Sequence, residues 1–215
     1  NETASSYSSQ VCSQNADCKE IGQVEGFEKR LVIKRILPAL AQNPRFVSMF
    51  VNEAKISVCL NHPNIVQVYD LGRTEEGGGD WYIAMEHIHG QNLTQTVRRL
   101  RSMGERLPLP LSVHAAASLA RGLAHAHSRI AADGSRLGII HRDVSPHNVM
   151  VSYEGEVKLV DFGIARLSGE MEQYLPGKPG GGKFAYMSPE QASGGSINHR
   201  SDIFSCGIVL YELLV

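Results

Sequence analysis

The apolar positions fall into two regimes along the chain. From residue 30 to residue 88 short runs dominate: Arg30 to Ile36 is an apolar-basic strand closed by Pro38, Ile65 to Leu71 a second strand, and Trp81 to His87 a third. Between the first two, Phe46, Met49, Phe50, Ala54 and Val58 recur at helical spacing and predict a helix over Arg45 to Leu60, broken by His62-Pro63-Asn64. Thr74 to Asp80 reads as a Gly/acidic turn. Beyond Gly90 the pattern predicts helices over Leu93 to Met103 and Ser112 to Arg129, the second opened by Ser112 after Pro110. A connector from Ala132 to Gly138 follows, and two short strands, Asn148 to Tyr153 and Glu156 to Val160, flank Glu154-Gly155. A Gly/Pro-rich stretch runs to Pro189, and Ser201 begins the last helix. Residues 1–18 are polar, rich in Ser, Asn and Gln, and carry no period, so they read as loop or disordered tail. The expected fold class is α+β: a small sheet lobe over 19–88 joined to a larger helical lobe over 89–215.

Composition narrows the function classes. The 215 residues suit one domain with a real core, and 42% hydrophobic with 20% charged residues is globular rather than disordered. A formal net charge of −1 gives no bulk attraction to nucleic acid or to an anionic membrane. The four cysteines, Cys12, Cys18, Cys59 and Cys206, form no Cys-x-x-Cys pair and read as free thiols in a reducing cytoplasm. His125 and His127 sit two apart on a predicted helix, point to different faces, and do not converge on one metal ion. No N-terminal segment has the pattern of a signal peptide. The most apolar run, Ile203 to Val215, contains Glu212 and is shorter than the ~20 residues of a spanning helix, so it reads as a buried core helix.

The chemistry lies in a series of short phrases. His141-Arg142-Asp143-Val144-Ser145-Pro146-His147-Asn148 precedes the two short strands, and Asp161-Phe162-Gly163 follows them. A carboxylate and an amide oxygen are hard ligands suited to magnesium. Upstream, Leu31-Val32-Ile33-Lys34 puts a lysine in a strand, with Glu53 on the next helix. Alone, such a lysine is a solvated edge residue, and a lone Asp-Phe-Gly carries no signal. Together, in this order and across a two-strand spacer, these phrases resemble the protein kinase family, in particular the eukaryotic-like Ser/Thr kinases of bacteria and, within them, those of myxobacteria.

The resemblance covers roughly residues 19 to 215 and implies ATP- and Mg2+-dependent phosphoryl transfer to a protein hydroxyl, in signal transduction. It implies that Lys34 contacts the α/β-phosphates and is oriented by Glu53, that Asp143 takes the acceptor proton, and that Asn148 and Asp161 hold magnesium. Ala84-Met85-Glu86-His87-Ile88 resembles the hinge, with Met85 as gatekeeper and the Glu86 and Ile88 backbone available to adenine; Met150 lies under the base, although both methionines alone would read as core packing. Phe162 packs against the helix of Glu53. Tyr186-Met187-Ser188-Pro189-Glu190 resembles the end of the activation segment, and Asp202 the aspartate that braces the catalytic loop. Protein substrates are the implied partners. The implied location is the cytoplasm, with any membrane anchor of a full-length parent in segments outside this chain.

Departures from the family pattern are equally specific. The Gly-rich loop expected some twenty residues before Lys34 is absent: the first glycine is Gly22, and Gly22 with Gly26 does not make Gly-x-Gly-x-x-Gly. Val215 falls inside the helix that Asp202 begins, without the usual partner of Glu190, so the resemblance implies a domain truncated at both ends and marginal in stability. The alternative function is therefore a catalytically impaired kinase fragment or a pseudokinase-like scaffold. Arg142 beside Asp143 implies control by a phosphate on the activation segment, where Ser168, Tyr174, Tyr186 and Ser188 are the hydroxyl residues, Ser168 is the favoured one, and Lys183 stands where a Thr is frequent. Ser145 replaces the usual Lys beside the γ-phosphate, offering a hydroxyl without charge. Ser145→Lys in a full-length protein is expected to change kcat more than ATP affinity; steady-state kinetics with an unchanged kcat would contradict this.

Overall fold

The computed structural model describes residues 8–9, 18–20, 23–24, 27–28, 30–36, 38–74, 79–131, 133–162 and 184–215. Two compact units emerge, one formed by Asn1–Cys59 and Gln67–His87, the other by Leu60–Val66 and Ile88–Val215.

The first unit is built on a five-stranded antiparallel sheet. Its strands are β1 (Ser8–Ser9), β2 (Cys18–Glu20), β5 (Leu31–Arg35), β6 (Val68–Arg73) and β7 (Trp81–Glu86), in the order β1-β2-β5-β7-β6. A separate hairpin pairs β3 (Gln23–Val24) with β4 (Phe27–Glu28). β1 and β2 fall in or at the edge of the stretch expected to be loop or tail. The interior strand β7, between β5 and β6, buries Ile83, Ala84 and Met85 in succession, as a strand covered on both faces must. After a short helix, α1 (Pro38–Ala41), comes α2 (Pro44–Val58), started by Asn43, whose side chain accepts from the Arg45 N–H, with Pro44 in the first turn. Its buried face reads Phe46, Phe50, Glu53, Ala54, Ser57. A carboxylate on that apolar face requires a partner.

In the second unit a three-stranded sheet, β10-β9-β8, joins β8 (Gly90–Asn92), β9 (Val149–Ser152) and β10 (Val157–Leu159). The helix α3 (Leu93–Ser102) begins with a reciprocal capping box between Asn92 and Gln95, and α4 (Leu109–His127) starts three residues before the expected Ser112. Pro110 lies within the first turn of α4, so Ser112 is no cap; it is buried, and its hydroxyl donates to the Leu213 carbonyl. A short helix, α5 (Pro189–Ala192), precedes α6 (His199–Leu214), which is capped by Asn198. Ala115, Ala116, Leu119, Leu123 and Ala126 of α4 form the buried stripe, and Cys206, Val209 and Leu213 that of α6. Each leucine so buried is worth roughly 1.5–3 kcal/mol. The last helix is not buried all round as its apolar run suggested: Ile203, Phe204, Tyr211 and Leu214 are exposed.

The turn at His62-Pro63-Asn64 clusters with the second unit although it lies inside the stretch read as the small lobe. The cause is hydrogen bonding: the Asn64 side-chain amide donates to the Val157 carbonyl (2.9 Å), the Leu159 N–H to Asn64 O (2.9 Å) and the Val66 N–H to Leu159 O (2.9 Å). Strand β6 therefore starts at Val68, later than the apolar pattern from Ile65 implied. Among the described residues no helix is long and apolar enough to cross a membrane, and Cys59 and Cys206 are free thiols.

Gly90 marks the tightest approach in the small sheet. A Cβ there would lie 2.6 Å from the Ser152 Cα and collide with the Val151 carbonyl oxygen. Gly90→Ala is expected to destabilise the protein by about 1–3 kcal/mol through this overpacking, read as a lower urea midpoint; an unchanged midpoint would contradict it.

Candidate active site

In the first unit, Lys34 reaches Glu53 from strand to helix. Lys34 pairs in register with Ile83, and its Nζ lies 2.7 Å from Glu53 Oε1, with the two side chains 16% and 9% exposed. An unpaired carboxylate at such a depth would cost several kcal/mol, so the ion pair answers the charge on the buried face of α2. Met85 is buried between Val32 and Val68 of the flanking strands. Glu86 ends β7, with its N–H donated to Gln67 O (2.9 Å) and its carboxylate accepting from the Gln67 N–H (3.2 Å). Residues 10–17, Gln-Val-Cys-Ser-Gln-Asn-Ala-Asp, stand at the chain position expected for the Gly-rich loop and lie outside the described residues, as do Gly22 and Gly26.

The second unit holds the loop from His141 to Asn148 around Asp202 of α6. Asp202 is 1% exposed and accepts from the His141 N–H (2.8 Å), the Arg142 N–H (2.8 Å) and His127 Nε2 (2.7 Å). Burial alone would raise this carboxyl; the hydrogen bond from His127 and the two backbone donors hold it below the usual range. His141 is fully buried, takes the Asp143 N–H on Nδ1 (3.2 Å) and contacts Val160 O through Nε2 (3.1 Å). That pairing assigns the proton to Nε2 of a neutral ring, and burial accordingly pushes its pKa down. Phe162, 1% exposed, stacks at 4.7 Å on the same ring. Arg142 and Asp161 adopt left-handed backbone, φ 69° and 58°, a conformation most side chains avoid.

Asn148 gives both amide hydrogens to Asp143, one to its carbonyl (2.8 Å) and one to its Oδ2 (2.8 Å). The amide therefore fixes the carboxylate and keeps its own Oδ1, a hard oxygen, out of that pairing. With the Asp161 carboxylate, the donor chemistry fits magnesium. Ser145 is 1% exposed and its Oγ has no partner among the described residues, nor do Arg142 Nε and NH1. Ile88 and Met150 are half-buried, Met150 standing in β9 opposite Asn92 and Lys158. Gly163, Ser168, Tyr174 and Lys183 lie outside the described residues.

Several pairings that the sequence reading did not foresee hold this unit together. His127 turns to Asp202 while His125 stacks on His62 at 4.9 Å, so the i,i+2 pair divides between two environments. Glu190 receives the Ser201 hydroxyl, Tyr186 donates its hydroxyl to Glu212, and Ser205 donates to Tyr186 O (2.6 Å). Burial and Glu212 push the Tyr186 phenol well above its usual range. Two of the four hydroxyls weighed as phosphate acceptors are thus engaged: Tyr186 with Glu212, and the fully buried Ser188 as the cap of α5. Among the described residues no group of three or more His, Cys, Asp or Glu side chains is arranged to hold a metal.

The family profile described as protein kinase domain matches residues 23–215. The chain is 43% identical over 190 residues to the tyrosine-protein kinase MasK of Myxococcus xanthus, covering 88% of this chain and 29% of that protein. It is 35% identical over 214 residues to the serine/threonine-protein kinase PknB of Mycobacterium leprae, covering 93% and 32% respectively. The crystal structure of the PknI kinase domain of Mycobacterium tuberculosis matches with a TM-score of 0.69 at 27% identity, covering 96% of this chain and 71% of that one. The chain belongs to the protein kinase family, with the α+β fold of its bacterial members, and spans under a third of the length of the two curated relatives.

Acid should loosen the second unit. Burial lowers the pKa of His62, His125 and His141, with the neighbouring His125 and Arg121 adding to the effect at His62 and Arg129 at His125. The unfolded chain then binds protons that the native one refuses, so stability is complete above about pH 6.5 and falls below it, by up to about 1.4 kcal/mol per pH unit for the fully buried His141. Thermal melts from pH 8 to pH 5 are expected to show a falling midpoint; a midpoint that rises on acidification would contradict the assignment.

Proposed function

We propose that this chain is the catalytic segment of a protein Ser/Thr kinase that transfers the γ-phosphoryl group of ATP to a protein hydroxyl in the cytoplasm. The observation that carries the reading is the Asp143–Asn148 pairing, in which one amide holds both the backbone carbonyl and the carboxylate of Asp143 on a braced loop. In the first unit, Lys34 contacts phosphate oxygens and Glu53 keeps its ammonium in place; the Glu86 backbone meets adenine, with Met85 lining its pocket, and the Ile88 backbone of the second unit does the same. In the second, Met150 supplies an apolar floor for the base, and Asn148 Oδ1 and the Asp161 carboxylate hold Mg2+. Magnesium, when bound, neutralises phosphate charge.

The acceptor oxygen attacks the γ-phosphorus, the bond to the β–γ bridging oxygen breaks, ADP leaves, and the hydroxyl proton passes to Asp143. Ser145 supports the same reading: a buried hydroxyl without a partner costs about 1–3 kcal/mol, a cost that a γ-phosphate oxygen would offset. The free thiols Cys59 and Cys206 accord with a reducing compartment, and protein substrates are the partners.

The test is transfer of labelled γ-phosphate to a protein by the purified chain with ATP and Mg2+, alongside Asp143→Asn. The variant is expected to lose roughly 10²–10⁴-fold in kcat, the range of a positioned general base, with its fold intact by circular dichroism. Equal rates in the two proteins would overturn the role of Asp143. Phosphoamino-acid analysis of the product reads the acceptor: phosphotyrosine alone would overturn the Ser/Thr assignment and leave phosphoryl transfer standing.

A further inference from the structure

Gln191, the third residue of α5, is used at both ends of its side-chain amide. Its Oε1 accepts from the Ser188 N–H (3.0 Å), and its Nε2 donates to the Arg142 carbonyl (2.9 Å). The first bond completes a capping box, in which the Gln191 N–H also donates to Ser188 Oγ (3.4 Å). The second leaves the helix altogether and reaches the loop that carries Asp143.

The peptide group it meets is the one between Arg142 and Asp143. Its oxygen is held by Gln191 and its N–H by His141 Nδ1 (3.2 Å), while the preceding peptide is held through the Arg142 N–H by Asp202. Arg142 needs this restraint on both sides because its φ of 69° is intrinsically disfavoured. We infer that Gln191 is a positioning residue for Asp143: it locks the Arg142–Asp143 peptide and ties it to the segment Tyr186–Ala192. The catalytic consequence rests on the kinase reading given above.

The chemistry specifies an amide of this length. An ionised Glu keeps the acceptor for Ser188 but turns a second acceptor toward the Arg142 carbonyl. Met matches the shape and supplies neither group, and Asn is one methylene short. Apolar packing of the short helix would be served as well by Met as by Gln.

The experiment compares Gln191→Glu and Gln191→Met with the unaltered chain, and with Ser188→Ala, which removes the cap hydroxyl and leaves both bonds of the Gln191 amide. Two readouts are taken: kcat and KM for ATP, and amide hydrogen exchange resolved over 141–144 and over 186–193. Both Gln191 variants are expected to lower kcat at least ~10-fold with KM for ATP within ~3-fold, since small misplacements of a reacting group act on the chemical step. Exchange at 141–144 should speed up at least ~10-fold as well, whereas Ser188→Ala should leave kcat and that exchange within ~2-fold. Exchange faster only at 186–193, with kcat unchanged, would reduce Gln191 to a local cap and overturn the inference. Should the unaltered chain transfer no phosphate, the kinase reading fails by itself. The exchange arm still decides the structural coupling: faster exchange at 141–144 supports it and unchanged exchange overturns it.

Discussion

Asp202 is a carboxylate sunk into the packing between helices and kept ionised by what it holds. Removing it from water would by itself raise its pKa; three donors aimed at its two oxygens reverse the sign. Two of those donors are backbone N–H groups of the loop ahead of Asp143, so the geometry of the candidate base descends from a charge buried on α6. The arrangement holds only as a set. A lone carboxylate there would be protonated, and a lone loop with Arg142 in left-handed backbone would relax.

The same helix organises the end of the activation segment. Ser201 donates to Glu190, Ser205 to the Tyr186 carbonyl, and Glu212 accepts from the Tyr186 hydroxyl. These residues recur along α6 beside Asp202, so one rigid element anchors the catalytic loop and the stretch from Tyr186 to Ala192. Gln191 joins those two segments directly. Glu190 is engaged by the Ser201 hydroxyl.

In the first unit the corresponding constraint is Glu53. Its helix presents phenylalanine, alanine and a carboxylate to the same buried face, and Lys34 from the central sheet neutralises the charge. Both units thus carry a buried acid answered by a distant group: the Lys34 ammonium in one, the backbone of the loop ahead of Asp143 in the other. Packing and site geometry are one set of interactions here.

Much of this was legible in order along the chain. The strands at Leu31 and Trp81, the helices over Phe46–Val58 and Leu93–Ser102, and the paired strands around Glu154-Gly155 follow from period and turn chemistry, because those signals are local. The phrases around Lys34, Asp143 and Asp161 carried the family resemblance because they stand in a fixed order and spacing along the chain, which the protein kinase domain match over 23–215 bears out. What the tertiary structure alone decided is which distant groups answer one another. His127 turning to Asp202, Ser112 bonding Leu213, Asn64 stitching a turn to Val157, and Gln191 reaching Arg142 all join residues 49 or more positions apart. No period or motif encodes such pairings. They arise because a polar group buried by the packing of one element must find its partner on another.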